Sequence, residues 1–285
     1  MLGAGIETVP RATFDAAFQA VSEGAADALL APVENSLAGS VVRVYDLLLE
    51  SGLGIVAETI LRIEHQLIGC PGSSLQELRQ VASHPVALAQ CERFFLAHPL
   101  LKRMPAEDTA GSVREVLARG DRSLAAIAGR RAAERYGGVI LRENVHDNPE
   151  NFTRFVLLVP VERRRTDRPE PASAGFTDLM IGLRTKRGEL GASPPPLKMT
   201  LALRLAHKPG ALLQALEPFA SQGINLLKIE SRPIPGRPWE YQFFLDVEAL
   251  DPSRLEAAVQ ALRAGTRELR ILGLYTVPRA TPGSP

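Results

Sequence analysis

The segment APVENS, residues 31–36, ends a run of strand-forming residues with three polar side chains. Glu34, Asn35 and Ser36 supply an acid, an amide and a hydroxyl where a strand gives way to a helix, and α/β sheets bind ligands at such strand ends. Gly39 and Ser40 follow, and free main-chain N–H groups at a helix start there suit a carboxylate or phosphate. Taken alone, the segment fits a polar strand-to-helix turn with Ser40 as the helix cap better than a ligand site.

The segment NFTRF, residues 151–155, begins a second apolar run that ends at Pro160. If it is a strand, alternation puts Thr153 on one face and Arg154 on the other. A threonine hydroxyl can donate to an oxygen on which negative charge develops, and an arginine can bind a carboxylate with two N–H groups. The sequence leaves open whether that carboxylate belongs to a substrate or to the protein. Taken alone, the motif fits better a β-branched threonine that simply favours a strand, followed by a solvated arginine.

Other candidate groups carry weaker signals. Gln90 lies within SHPVALAQCERFF, which predicts a helix from Pro85 through Phe95. The spacing of the histidines and the two cysteines matches no metal site, and we interpret each histidine as a surface or capping residue. The residues concerned are His65, His84, His98, His146, Cys70 and Cys91.

Composition limits the class of protein. The 285 residues carry a net charge of +1, with 45% hydrophobic and 23% charged residues. A near-neutral chain of this kind indicates neither a nucleic-acid surface nor a polybasic membrane anchor. No apolar run is long enough to cross a bilayer and no signal segment is evident, so we expect a reduced, cytoplasmic protein.

The chain alternates strands and helices before residue 165, which predicts an α/β sheet. Thr13 caps a predicted helix that ends before Gly24, and Thr109–Arg119 forms another. Ser74 and Glu77 fit a capping box. The predicted strands cover residues 28–33, 53–56, 123–127, 139–141 and 151–159.

Residues 166–197 are rich in proline and arginine and predict a linker, with a short apolar island at 179–183. Beyond them, residues 198–279 show the order βαββαβ, which is a ferredoxin-like plait. Pro218 falls inside the first predicted helix of this half and should kink it or shift its end.

Several segments in this order resemble prephenate dehydratases: APVENS (31–36), SHPVALAQC (83–91), DTAGSV (108–113), AAIAGRRAAERYG (125–137) and NFTRF. Residues 208–233 and 239–248 look like the ACT regulatory domain of those enzymes. The resemblance implies a two-lobed catalytic domain of the type II periplasmic-binding-protein class over residues 1–165. Lobe 1 would comprise about 1–78 and 150–162, and lobe 2 about 79–149.

The resemblance implies conversion of prephenate to phenylpyruvate, water and carbon dioxide in L-phenylalanine biosynthesis, with no metal or organic cofactor. Thr153 would be the principal catalytic hydroxyl, with Glu34, Asn35 and Gln90 beside it in the cleft. Substrate binding is assigned to Ser36, Ser40, Arg154 and Phe155. Two alternatives stay open: an arogenate dehydratase, and a non-catalytic phenylalanine-binding protein.

The ACT resemblance also implies a site for L-phenylalanine as allosteric effector, between paired ACT domains of a homodimer or homotetramer. Its two sides would be Gly210, Ala211 and Leu212, and Glu230, Ser231, Arg232 and Pro233. One departure from the family concerns Met1–Pro10, which joins the pattern after its first strand and helix. On the order of 30 residues of the first lobe are therefore expected to be missing.

Overall fold

The structure, a computed structural model, describes residues 5–161, 195–234 and 236–277. Its contacts divide the chain into two compact units. Unit 1 comprises residues 1–33, 41–59 and 155–285, and unit 2 comprises residues 34–40 and 60–154. The predicted boundaries near residues 78, 150 and 165 stay predictions, and the 179–183 island lies outside the described residues.

Eight helices are described: α1 (Phe14–Ser22), α2 (Val42–Glu50), α3 (Pro85–Ala89), α4 (Glu92–Ala97), α5 (Thr109–Arg119), α6 (Arg130–Tyr136), α7 (Ala211–Ser221) and α8 (Pro252–Gly265). The strands of the first half are β1 (Leu29–Asn35), β2 (Gly39–Ser40), β3 (Leu53–Arg62), β4 (Gln66–Gly69), β5 (Gln80–Ser83), β6 (Lys102–Pro105), β7 (Leu124–Ala128), β8 (Val139–Arg142) and β9 (Phe152–Pro160). The second half adds β10 (Leu197–Arg204), β11 (Asn225–Ile234), β12 (Arg237–Ala249) and β13 (Glu268–Thr276).

Unit 1 is built on a mixed sheet in the order β11-β12-β10-β13-β3-β9-β1. The second half of the chain contributes β10–β13, which with α7 and α8 have the predicted βαββαβ order. Strand β13 pairs in parallel with β3 at Gly273 and Ile55. A Cβ on Gly273 would stand 2.5 Å from Ile55 Cβ, so this close approach requires glycine.

Two apolar cores stabilise unit 1. One lies between β10–β13 and the helices α7 and α8. In the other, Val44, Tyr45 and Leu48 of α2 pack with Ala202 and Phe244 of the second half. The apolar face of this amphipathic helix is therefore the one that is buried.

Unit 2 contains a five-stranded sheet in the order β6-β5-β7-β4-β8. Helix α5 begins after Asp108, whose side chain accepts from the main chain of Gly111, and ends at Gly120 in the left-handed conformation. The strand β7 is buried along its whole length, as a strand covered on both faces should be. The four predicted catalytic residues, Glu34, Asn35, Gln90 and Thr153, all belong to this unit.

Most predicted elements are confirmed, with three differences. The Glu77 carboxylate accepts from the main-chain N–H of Ser74, as a capping box requires, but the Ser74 hydroxyl donates to the same carboxylate and the residues after it make only a turn. The predicted helix over residues 85–95 is two short helices, α3 and α4, separated at Gln90 and Cys91. Helix α7 continues past Pro218 to Ser221. Within the described residues, no helix is both long and apolar enough to span a membrane.

Candidate active site

Asn35 is fixed by the loop that follows it. Its Oδ1 accepts hydrogen bonds from the main-chain N–H groups of Leu37 (3.0 Å) and Ala38 (2.9 Å). The helix α2 does not begin until Val42, so Gly39 and Ser40 form the short strand β2 and not the helix start that the sequence suggested. Ser40 pairs with Glu34, and Gly39, at φ +82°, pairs with Asn35. The hairpin thus fixes the orientation of the Asn35 carboxamide.

Thr153 lies within hydrogen-bonding distance of that carboxamide. Asn35 Nδ2 donates to Thr153 Oγ1 (2.9 Å), and also to Asn151 Oδ1 (2.7 Å) and the carbonyl of Phe152 (3.2 Å). Thr153 is buried, with 9% of its surface exposed. Because its oxygen accepts from an amide, its own hydrogen is available to donate to another group.

Asn151 connects this pair to Gln90. It is fully buried, and its Nδ2 donates to Gln90 Oε1 over 3.0 Å. Gln90 Oε1 also lies 2.8 Å from His65 Nε2. We call His65, Gln90, Asn151, Asn35 and Thr153 the amide relay. All five residues belong to unit 2.

The break between α3 and α4 is what places Gln90 in the amide relay. Gln90 is the C-cap of α3, where its N–H donates to the carbonyl of Val86. Asp147 then accepts from the main-chain N–H groups of Glu92 and Arg93, while its own N–H donates to the carbonyl of Gln90. This carboxylate begins α4 as a new helix. The loop 146–151 therefore contacts both sides of the break.

His65 is buried, with 4% exposed, and is not the surface or capping residue that the sequence suggested. Burial lowers its pKa below the ordinary 6.5, although the Gln90 hydrogen bond opposes this, and nearby His146 lowers it further. His146 accepts from the main-chain N–H of His65 over 3.2 Å. His84 does cap a helix, since its Nδ1 accepts from Val86. His65 is thus a neutral imidazole at neutral pH.

Glu34 and Arg154 stand apart from the amide relay. Arg154 Nη2 lies 3.3 Å from Glu34 Oε2, with the side chains 10% and 38% exposed. Neighbouring residues on a strand point to opposite faces, so Glu34 pairs with Arg154 while Asn35 pairs with Thr153. Of the four predicted catalytic residues, the structure brings together Thr153, Asn35 and Gln90.

The remaining predicted substrate ligands have other contacts or positions. The Ser36 hydroxyl donates to the carbonyl of Glu150 and accepts from the N–H of Phe152, both at 2.9 Å. It therefore holds the loop before β9. Phe155 continues β9 and is half-buried.

The second half of the chain carries a separate small pocket. A cavity of about 140 Å³ is lined by Leu205, Ala206, His207, Lys208, Ala211, Leu212, Trp239, Glu240, Tyr241 and Phe243. Gly210, in the left-handed conformation, caps α7 beside it. The predicted partners Glu230, Ser231, Arg232 and Pro233 lie on β11 and do not line this cavity. Arg232 instead pairs with Asp46 of α2 over 3.7 Å.

A larger cavity of about 470 Å³ lies beside α5 and is lined by residues such as Met104, Asp108 and Arg119. No member of the amide relay lines it, so its size alone does not make it the site. Among the described residues, no group of three or more His, Cys, Asp or Glu side chains is placed to hold a metal ion.

Comparison with known proteins places these features in a family. The prephenate dehydratase family model matches residues 1–162, and the ACT domain model matches residues 199–264. Arogenate dehydratase/prephenate dehydratase 1, chloroplastic, of Arabidopsis thaliana is 38% identical over 285 residues. That match covers 94% of this chain and 66% of the plant protein, so the chain spans slightly less than two thirds of that relative.

Two solved structures are also similar. The prephenate dehydratase of Arthrobacter aurescens in complex with L-Phe has a TM-score of 0.74 and 30% identity, over 94% of this chain and 80% of that one. GqqA, described as a novel type of quorum quenching acylase, has a TM-score of 0.78 and 34% identity, over 97% and 91%. By sequence and by fold, the chain belongs to the prephenate dehydratase family and carries an ACT domain after the region that the family model matches.

Proposed function

We propose that the chain is a prephenate dehydratase, which converts prephenate to phenylpyruvate, carbon dioxide and water. The observation that carries the proposal is the buried Thr153 hydroxyl, whose oxygen accepts from Asn35 Nδ2 and whose hydrogen is left to donate. Loss of the ring hydroxyl is the step that needs such a donor, because negative charge develops on the leaving oxygen.

The reaction is a fragmentation whose electrons balance without a redox partner. The bond between the ring and its carboxylate breaks and releases carbon dioxide. The electron pair enters the ring, which becomes aromatic as the opposite carbon–oxygen bond breaks and hydroxide leaves, to take a proton from solvent and become water. A threonine hydroxyl is too weak an acid to transfer its proton fully, so Thr153 acts by hydrogen bonding. The Asn35 N–H bond to Oγ1 polarises the hydroxyl and strengthens it as a donor.

The hydrogen-bond donors around Thr153 bind the carboxylates of the substrate. Gln90 Oε1 is occupied by Asn151 and His65, so its Nε2 is the end of the amide that can bind a ligand oxygen. Arg154 is braced by Glu34 at 3.3 Å, which favours the protein side of the alternative left open by the sequence. Ser36 is likewise engaged by the main chain, and we give it a supporting role.

Arogenate is the alternative substrate, and the Arabidopsis relative carries both substrates in its name. Arogenate has an amino group where prephenate has a keto group, while the elimination itself is unchanged. The amide relay acts on the part common to both molecules. Parallel assays with the two substrates decide the preference.

The description of GqqA as an acylase suggests amide hydrolysis as a second activity, which the geometry of the site supports less well than dehydration. Amide hydrolysis by a side-chain nucleophile needs a base that removes its proton. The partner of Thr153 Oγ1 is an amide N–H, which is a donor and cannot serve as that base. Cys91 is fully buried, and burial raises the pKa of its thiol to about 12, which disfavours the reactive thiolate.

Regulation by L-phenylalanine is part of the proposal. The cavity beside Gly210 has apolar and aromatic walls that suit a benzyl side chain, including Leu212, Trp239 and Phe243. The Arthrobacter relative was solved with L-Phe bound. The β11 residues 230–233 lie outside this cavity, so we expect them to serve the cavity of a second subunit in a homodimer or homotetramer. Sedimentation with and without phenylalanine measures that assembly.

Substitution of Thr153 tests the proposed activity. Thr153→Ala removes the donor and should lower kcat by about 10²–10³, the usual loss for one such group. Thr153→Ser keeps the hydroxyl and is the matched control, so it should retain most of the activity. Phenylpyruvate is measured by its absorbance in alkali. Equal rates for the Ala variant and the wild type would contradict the assignment, and phenylalanine binding without any turnover would favour the non-catalytic alternative.

A further inference from the structure

We propose that His65 and Asn151 are positioning residues for this reaction: they hold the amide relay in one polarity, so that Gln90 and Thr153 both present hydrogen-bond donors to the anionic substrate. The inference rests on the proposed function and extends it to two residues that contribute no reacting group.

The main chain fixes which end of the first amide donates and which end accepts. Backbone N–H groups can only donate, and those of Leu37 and Ala38 both point at Asn35 Oδ1. The orientation of the Asn35 carboxamide is therefore fixed by groups that cannot exchange roles. Its Nδ2 must be the end that faces Asn151 Oδ1 and Thr153 Oγ1.

The orientation of Asn35 in turn fixes the orientation of Asn151 and Gln90, at the other end of the amide relay. Since Asn151 accepts through Oδ1, its Nδ2 is the end that reaches Gln90, and it donates to Gln90 Oε1 at 3.0 Å. The oxygen of Gln90 then faces His65, whose Nε2 at 2.8 Å must be the donor. Asn151 has no exposed surface, so neither of its bonds can be replaced by water.

His65 is held in one tautomer as a result. With Nε2 protonated, Nδ1 carries a lone pair, and this buried atom has no hydrogen-bond partner among the described residues. Protonating Nδ1 would bury an N–H group without an acceptor, which costs free energy. The burial of His65 thus keeps the ring neutral while Nε2 donates.

As a result, Gln90 and Thr153 both present hydrogen-bond donors to the substrate. Gln90 Oε1 has two donors already, so Gln90 Nε2 faces away from His65 and Asn151. Thr153 has its oxygen occupied by Asn35 and its hydrogen available. Prephenate carries two carboxylates and releases hydroxide, so donors at both positions match the charge of the substrate and of the departing oxygen.

Asn151→Asp tests the polarity with a change of one atom. A carboxylate cannot donate to Gln90 Oε1, so the Gln90 amide must either keep its oxygen against that carboxylate or turn its Nε2 toward residue 151 and lose the His65 bond. In either case Gln90 no longer holds its Nε2 in place for the substrate. We expect kcat/KM for prephenate to fall about 10²-fold, with KM raised as well as kcat lowered. Asn148→Asp is the matched control. Asn148 is exposed and its oxygen only accepts from the N–H of Glu150, so an aspartate preserves that bond and activity should be unchanged.

Two substitutions at His65 distinguish the effect of losing its hydrogen-bond donor from the effect of losing its packing. The Nε2 of a glutamine reaches about as far as the imidazole Nε2, so His65→Gln should keep most of the activity, whereas His65→Leu fills the space without a donor and should lose it. Equal activity of the two variants would contradict the role of the donor. Melting curves of both identify a variant that is simply unfolded.

Nitrogen NMR of the wild-type protein provides a test that does not depend on activity. The His65 ring should show a protonated Nε2 and an unprotonated Nδ1 at pH 7, and the opposite tautomer would overturn the inference. If the wild type fails to convert prephenate, the proposed function is wrong. If the wild type converts prephenate and Asn151→Asp does so equally well, the polarity inference is wrong.

Discussion

Lys198 and Glu58 form a buried ion pair that joins β10 of the ACT domain to β3. Lys198 Nζ lies 3.1 and 2.8 Å from the two carboxylate oxygens, and the side chains are 7% and 4% exposed. Tyr275 OH donates to the same carboxylate over 3.3 Å. Replacing Lys198 by Met leaves the Glu58 carboxylate buried without its ammonium partner, which should lower the free energy of unfolding by about 3–5 kcal/mol.

A double variant that removes both charges tests this reasoning more stringently than the single variant. Lys198→Met combined with Glu58→Leu removes both charges, and apolar pairs of similar volume often replace buried ion pairs at little cost. We expect the double variant to be more stable than either single variant, as measured by urea unfolding followed by circular dichroism. The exposed pair of Arg130 and Glu143 is the matched control, and its variants should show little coupling. A double variant less stable than both single variants would refute this reasoning.

Three further predictions address His65, Gly273 and Trp239. The lowered pKa of His65 means that the unfolded chain binds a proton more readily than the folded one, so its contribution to stability should be lost as pH falls below about 6.5. A His65→Gln variant should lose that part of the pH dependence in urea unfolding. Gly273→Ala should lower the melting temperature, because its Cβ would collide with the main chain of Ile55, and an unchanged melting temperature would contradict the close approach. Trp239→Gly should weaken phenylalanine binding about tenfold in calorimetry by removing an aromatic wall of the cavity. It should not destabilise the fold, since Trp239 has φ +68°, a conformation that favours glycine.

Local signals in the sequence were sufficient for many elements. Thr13 caps α1 through its side chain, and Gly120 ends α5 in the left-handed conformation, as the sequence patterns predict. Thr153 and Asn35 were also predicted as site residues, because polar side chains at strand ends are a local feature. The hydrogen bond between them joins residues 118 positions apart.

Features that depend on distant partners could not be predicted in this way. The break after Gln90 is set by Asp147, and nothing within residues 85–95 signals it. His65 has no ligand-like spacing, and its hydrogen-bond partner Gln90 lies 25 residues away. Asn151 did carry a usable signal, because alternation at the start of β9 places it on the same side of the chain as Thr153, two residues away. The same alternation places Glu34 and Asn35 on opposite faces of β1, although the family resemblance assigned both to the site around Thr153.

The rate of phenylpyruvate formation from prephenate, compared between the wild type and Thr153→Ala, tests the central claim most directly. We expect turnover by the wild type, near-normal turnover by Thr153→Ser, and a kcat about 10²–10³ lower for the Ala variant at an unchanged melting temperature. If Thr153→Ala turns over prephenate at the wild-type rate, Thr153 is not the catalytic hydroxyl.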